Sequence, residues 1–457
     1  MNPQQYAIER QDEFLDELID WLKISSISTT PDYKTDVQRA ADWLARHMAG
    51  LGLETQIFET PGNPIVFGRR LQAVPDAPTV LVYGHYDVQP PDPLDAWQTP
   101  PFEPSVRNGS LYARGAADDK GQLFIHLKAA QSILHATGTL PVNLKFVVEG
   151  EEEIGSPNLK AFVESHRDLL AADVAVISDT HGNGLDQPTI IYALRGLVYM
   201  ELEVRGPATD LHSGIFGGAV HNPAQALCEI IARLHDSDGR VAIPGFYDRV
   251  RALDHEERAE IARLPYTDED VRRETGVPAS WGEAGYTLRE RVGARPTLEI
   301  NGIIGGWTGQ GGKTVIPAKA LAKVSCRLVA DQDPLEIFAL IQDFVAQITP
   351  PTVTSEVRLL PGRHGHPAIV DRHAPAVEAA IAAYEEGWGA RPIFAREGGS
   401  IPVVVDFQRV LGAPVILMGF GLPDDNLHAP NEKFSLEAFR RGIATAISFY
   451  QRVAKPK

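Results

Sequence analysis

Thr79-Val80-Leu81-Val82-Tyr83-Gly84-His85-Tyr86-Asp87 is the stretch on which the fold turns. Thr79 to Tyr83 is a short apolar run that stops at a glycine, and His85 and Asp87 follow at once. A run of that length reads as a buried strand, and a strand buried on both faces belongs in a parallel sheet covered by helices. The pattern repeats downstream. Asp119 to Thr137 predicts a helix with Leu123, Leu127, Ala130 and Leu134 on one face. Val142 to Val148 predicts a strand that runs into Glu149. Ser156-Pro157 reads as an N-cap followed by Pro at the first helical position, opening a helix through Leu169. Asp173 to Ile177 predicts another strand, ending at Ser178-Asp179. Strands separated by helices imply an α/β fold with a mostly parallel, doubly wound sheet. Upstream, Phe14, Leu15, Leu18, Ile19 and Leu22, then Val37, Ala41, Leu44 and Met48, recur at helical spacing.

The style changes near Tyr192. Val198, Met200, Leu202 and Val204 alternate with Tyr199, Glu201, Glu203 and Arg205, the signature of a strand with one wet face. A helix from Asn222 to His235, strands at Thr297–Ile303 and Lys319–Val329, a helix from Pro334 to Ile348 and a strand at Val353–Leu360 follow. The charged, Pro-spaced stretch from Asp248 to Arg291 predicts extra surface helices. Strand-helix-strand, twice over, predicts an inserted α+β (ferredoxin-like) domain over residues 193–362. Residues 1–192 and 363–457 form the doubly wound domain, which closes with a helix from Ala374 to Glu386, a strand at Val415–Met418 and a helix from Leu436 to Val453.

With 457 residues, 44% hydrophobic and 23% charged, the chain is globular rather than disordered or fibrous. It carries 43 basic against 60 acidic residues, a net charge of −17. Nucleic acid and anionic membrane surfaces both need concentrated positive charge, so neither is expected as a partner. Cys228 and Cys326 are too few for a disulfide framework or a cysteine zinc site, and fit a reducing cytosol. Met1 to Gln5 is polar and leads into an acidic stretch, so no signal peptide is expected. The longest mostly apolar run, Ala413 to Leu422, is too short to span a membrane. The expectation is a cytoplasmic protein.

The polar residues converge. His85 and Asp87 follow one strand, Glu151, Glu152 and Glu153 another, and Asp179 a third, while Asp118 and Asp119 open a helix. Each alone has a bland reading: a hydrogen-bonded histidine, a solvated acidic loop, a turn aspartate, acids favouring a helix N-terminus. In open α/β sheets, however, the ligand crevice lies outside the carboxyl ends of the strands. Carboxylates crowded on that rim are unfavourable unless cations neutralise them. One histidine with several carboxylates suits zinc, or manganese in a harder variant, and enough carboxylates exist for two ions sharing a ligand.

Eight stretches then make a resemblance. His85-Tyr86-Asp87-Val88-Gln89-Pro90, Arg114-Gly115-Ala116-Ala117-Asp118-Asp119-Lys120-Gly121, Glu149-Gly150-Glu151-Glu152-Glu153-Ile154-Gly155-Ser156 and Ile177-Ser178-Asp179 resemble, in order, the motifs of a di-zinc metallopeptidase family. That family contains carnosine dipeptidases, aminoacylases and succinyl-diaminopimelate desuccinylases. Leu211-His212-Ser213-Gly214, Lys313-Thr314-Val315-Ile316-Pro317, Arg396-Glu397-Gly398-Gly399-Ser400-Ile401-Pro402 and Leu427-His428-Ala429-Pro430-Asn431-Glu432 resemble its carnosine and cysteinylglycine dipeptidase branch. The resemblance covers nearly the whole chain. It implies two divalent metal ions per subunit, zinc or manganese, bridged by Asp118. His85 and Asp179 would complete one site, and Glu153 and His428 the other. Asp87 would orient His85, Glu152 would be the general base, and the Asp118–Asp119 peptide would be cis. His212 would stabilise the oxyanion in the other subunit's site, which implies a homodimer. Arg327 would grip the carboxylate of a small peptide substrate. Thr314, Ser400 and His364 would hydrogen-bond it, with His366 as the competing alignment for His364.

Asp at position 179 is the usual residue of branches that act on free amines, whereas branches acting on N-acyl amino acids usually carry Glu. The expectation is therefore a metal-dependent dipeptidase with a lid and dimerisation domain. The alternatives are an N-acyl-amino-acid amidohydrolase and, remotely, a noncatalytic metal- or peptide-binding relative. Gly309-Gln310-Gly311-Gly312-Lys313-Thr314 resembles a phosphate loop, but Trp307 stands where that motif needs glycine, and Val315-Ile316-Pro317 follows where it needs a helix.

Overall fold

The computed structural model describes residues 2–71, 76–399 and 401–454. It divides into two compact units. Unit 1 takes residues 1–192, 370–395 and 402–457, and unit 2 takes residues 193–369 and 396–401.

At the centre of unit 1, Asn143–Glu149, Thr79–His85, Val174–Ile177 and Val415–Met418 lie side by side and parallel. Val80, Leu81, Val82, Phe146, Val147, Val176 and Leu417 are fully buried there, which explains why these strands are continuous apolar runs. Antiparallel strands border this core. Ile65–Arg70 and Glu54–Phe58 extend one edge, and Thr189–Leu194 pairs along Val415–Met418 on the other. Helix Lys120–Thr137 is buried from Lys120 to Ile133, because it packs on strand Thr79–His85 and under helix Leu436–Val453. Ser156 does not cap a long helix as the sequence suggested. Its φ is 51°, its backbone N–H donates to the Glu151 carbonyl and its Oγ to Glu149 Oε1 (2.8 Å), closing the glutamate turn. The helical stretch beyond splits into Leu159–Ser165 and Arg167–Leu170.

His126 sits in this core, with Nε2 2.7 Å from Ser178 Oγ and Nδ1 2.9 Å from the Tyr450 hydroxyl. Burial holds it down from 6.5 to about 3. The unfolded chain therefore takes up the proton first. The His126 contribution to stability is complete above the ordinary value and is lost as pH falls below it, at about 1.4 kcal/mol per pH unit. Melting curves of metal-free protein between neutral pH and pH ~4 should show a shallower acid loss for His126→Gln than for wild type. Parallel curves would remove His126 from the acid response.

In unit 2 the sheet order is Thr297–Gly305, Lys319–Leu328, Gly196–Arg205, Thr354–Gly365, antiparallel throughout. Helices Pro223–Ala232 and Pro334–Ile348 cover one face, where Val198, Met200, Leu202 and Val204 meet Leu227, Ile230, Ile337 and Ile341. Strand, helix, two strands, helix, strand is the ferredoxin-like order. Strand Thr354–Gly365 continues past residue 362, and the unit runs to Ile369. Within 248–294 lie helices His255–Ile261, Asp268–Thr275 and Leu288–Ala294, each opened by a capping box at Asp254, Thr267 and Thr287. Such boxes satisfy the free N–H groups that short helices could not otherwise afford to leave open. No helix among the described residues is long and apolar enough to cross a membrane.

Candidate metal centre

The parallel strands deliver the site residues at their carboxyl ends. His85 closes strand Thr79–His85, Asp179 lies two residues past Val174–Ile177, and the glutamate turn follows Asn143–Glu149. A small second sheet brings in the rest. Lys433–Ser435 pairs with Ser110–Tyr112, which sets the loop around His428 beside the loop that carries Asp118. Asn426, His428 and Asn431 all have φ between 55° and 62°, a left-handed conformation uncommon for residues other than glycine. The Asp118–Asp119 peptide is cis.

Two groups of ligand atoms result: His85, Asp118 and Asp179, and Asp118, Glu153 and His428, each within 4.8 Å of one another. Asp118 belongs to both. Its Oδ1 is 3.0 Å from His85 Nε2 and its Oδ2 2.8 Å from His428 Nε2. His85 Nε2 lies 3.9 Å from Asp179 Oδ2, and His428 Nε2 lies 3.3 Å from Glu153 Oε2. On the far side of its ring, His85 Nδ1 is 3.1 Å from the Asp87 carbonyl and 3.3 Å from Asp87 Oδ1. An Nδ1 proton held there leaves the Nε2 lone pair pointing at the Asp118 carboxylate, an arrangement that needs a positive charge between the two atoms.

The electrostatics point the same way. Burial, then Asp118 and Glu153, pushes Asp179 up to about 7. Burial, then Asp179, Glu153 and Asp118, pushes Glu152 up to about 9. Contacts with Asp118 and Glu153 raise His428 to about 10. His85 is raised well above 6.5 by Asp118 and Asp87 against its burial. Protons thus fill the role that cations would take. One shared carboxylate with a histidine and a second carboxylate on each side fits two divalent ions.

Several contacts of the centre escaped the sequence reading. Glu432 is fully buried, and its carboxylate accepts from Arg114 Nη1 (2.7 Å) and from the backbone N–H groups of Gly115 (3.0 Å), Ala117 (2.9 Å) and Asp118 (3.2 Å). It clamps the loop of His428 to the loop of Asp118. Gln89 Nε2 donates to Glu153 Oε2 (2.8 Å) and fixes that carboxylate. Asp119 Oδ2 accepts from the backbone N–H of His85 (3.3 Å), close against Gly84, where a Cβ would come within 2.6 Å of that oxygen. Asp87 accepts from the backbone N–H of both Glu152 (3.3 Å) and Glu153 (3.2 Å) as well as holding His85. All of these lay inside stretches quoted above, and their position there was the available signal.

The other candidates lie in unit 2. Leu211–His212 pairs with Val315–Ile316, so exposed His212 and Thr314 are neighbours, with His212 Nδ1 accepting from Gly214 N–H (2.9 Å). His364 is exposed on strand Thr354–Gly365, opposite Val198. His366 Nδ1 lies 3.8 Å from Asp333 Oδ2. Arg327 lies half-buried on strand Lys319–Leu328 and lines a cavity. Ser400 lies outside the described residues.

Residues 81–452 match the profile of Peptidase family M20/M25/M40. The Cys-Gly metallodipeptidase dug1 of Schizosaccharomyces pombe is 34% identical over 98% of this chain and 96% of its own length. The human Beta-Ala-His dipeptidase is 31% identical over 99% of this chain and 92% of its own. Among solved structures, an M20 family metallo-carboxypeptidase from Sulfolobus solfataricus superposes with a TM-score of 0.81 at 32% identity, over 97% of this chain and 99% of that one.

Proposed function

The chain belongs to peptidase family M20/M25/M40, and from that premise we propose that it is a metal-dependent dipeptidase acting on dipeptides with a free amino terminus. The observation that carries the reading is the pair of ligand groups sharing Asp118, with Glu152 beside them. Two divalent cations bound by these residues, zinc first and manganese second, would polarise the scissile carbonyl and make water acidic near neutral pH. Glu152 takes the proton of the attacking water and returns it to the leaving amine. Asp87 keeps His85 in the tautomer a ligand needs. Unit 2 serves as lid and dimerisation domain. In a homodimer, His212 donates to the oxyanion in the partner's site. The Arg327 fork grips the substrate carboxylate, and Thr314, Ser400 and His364 add hydrogen bonds. Both cysteines are free thiols, which suits a cytoplasmic enzyme.

A substrate panel tests the reading: free-amino dipeptides, longer peptides and N-acyl amino acids, each with zinc or manganese. Dipeptides should be the best substrates. Faster cleavage of N-acyl amino acids would make the chain a deacylase. Trimming of longer peptides would favour a carboxypeptidase, as the Sulfolobus relative is named. No turnover of any of them would leave a noncatalytic relative.

A further inference from the structure

Unit 2 contains a cavity of about 410 Å³ that the proposed chemistry uses only at one residue, Arg327. That volume lies in the range of small-molecule sites, roughly 300–1,000 Å³. Its floor is the sheet face turned away from the core. Arg327 stands opposite Thr297 and Leu197, and Glu299 opposite Ser325, while the intervening Val198, Cys326 and Leu298 are buried in the hydrophobic core. Arg195, just before the strand Gly196–Arg205, lines the same cavity. Residues 281–296 form the other wall.

The charge of this lining runs against that of the chain. The protein carries −17, yet the cavity is lined by four guanidinium groups, Arg195, Arg291, Arg295 and Arg327, against two carboxylates, Glu283 and Glu299. Arg295 and Glu283 engage each other bidentately (2.6 and 2.8 Å), with the Arg295 guanidinium stacked over Tyr247 and Tyr286. Arg291 donates to the Trp281 carbonyl (2.8 Å) and to Asp268, while its Nε is buried without a hydrogen-bond partner. Arg195 Nε reaches the Gly398 carbonyl (3.3 Å). Burial, then the like charge of Arg327, holds Arg195 down to about 10, and Glu299 opposes them. Two cations therefore line one partly desolvated wall, where Glu299 opposes the like charge of Arg327 on Arg195. Guanidinium forks bind carboxylates bidentately, and two of them at adjacent positions suit two carboxylates on one small molecule.

We infer that this cavity is a dicarboxylate site, taking either the acidic C-terminal residue of a dipeptide or a free dicarboxylate. The first source rests on the dipeptidase reading, and the second does not. One carboxylate is held by Arg327, and the other by Arg195 with support from Arg291. Glu299 limits the affinity and sets the preference for a ligand with two negative charges over one with three.

Calorimetric titration of the metal-loaded enzyme with glutarate and with butyrate tests the site directly. Glutarate should bind at least tenfold more tightly than butyrate. Arg195→Gln should abolish that margin, whereas Arg249→Gln, in a surface pair with Glu336, should keep it. Glu299→Gln should widen the margin, a gain that misfolding cannot produce. Equal binding of the two acids, or a glutarate margin that survives Arg195→Gln, would overturn the proposal. Kinetics then separate the sources. If glutarate competes with Ala-Leu and Ala-Glu is cleaved with a lower KM than Ala-Gln, the cavity holds the substrate's own C-terminal residue. If glutarate binds without competing, the ligand is a separate dicarboxylate. An enzyme that cleaves no dipeptide would defeat the dipeptidase reading and leave the glutarate titration standing.

Discussion

Glu152→Gln should lower turnover by two or more orders of magnitude while the metal content of the protein stays that of wild type. The substitution keeps the shape and removes the proton acceptor. Glu152 suits the role because burial and three neighbouring carboxylates push it up to about 9, so it holds a proton firmly once it has one. Bound cations would draw it back toward the neutral range in which a base and an acid are equally useful. The adjacent glutamates supply the control. Glu151 is committed to structure, its Oε1 accepting from Asn63 N–H (3.0 Å) and its Oε2 from Asn158 Nδ2 (2.7 Å). Glu151→Gln should loosen the turn, seen as a lower melting temperature, and leave most of the turnover. If Glu151→Gln instead removes turnover with metal retained, the base has been assigned one residue too late.

Exhaustive chelation should abolish hydrolysis, and zinc or manganese should restore it. The expectation follows from what the carboxylates must do without cations. Asp179 is held at about 7 and His428 at about 10, so protons occupy the shared centre near neutral pH. A cation that binds there displaces them. Metal added back to stripped protein in weak buffer should therefore release protons along with restoring activity, and raise the melting temperature by mass action. Full activity in protein shown to be metal-free would end the assignment. Proton release without recovered activity would place metal at the centre and the chemistry elsewhere.

The parallel core was readable because strands buried on both faces need unbroken apolar runs, as at Thr79–Tyr83 and Val174–Ile177. The candidate ligands on strand ends, His85 and Asp179, were readable for the same reason, since a strand that ends predicts where its next polar residue lies. Glu54–Phe58 was missed. It borders the sheet and is nowhere fully buried, so polar residues interrupt it. Lys433–Ser435 and Ser110–Tyr112 are three residues each, too short for any periodicity, and only the motif around His428 pointed there. Glu432 and Asp119 act on backbone N–H groups, and a main-chain donor leaves no mark in a sequence. The cavity of unit 2 is assembled from separated strands and the 281–296 wall, so its arginines look scattered in one dimension.

The clamp between Glu432 and the loop of Asp118 also has a bearing on biosynthesis. The first ligand group is encoded by residue 179, but the second waits for His428, and the carboxylate that steadies Asp118 comes four residues later still. A ribosome must translate past residue 432 before Asp118 is held in place. Unfinished or truncated polypeptides are therefore born without a complete centre. On the proposed function, hydrolysis waits until residues 428–432 have been made.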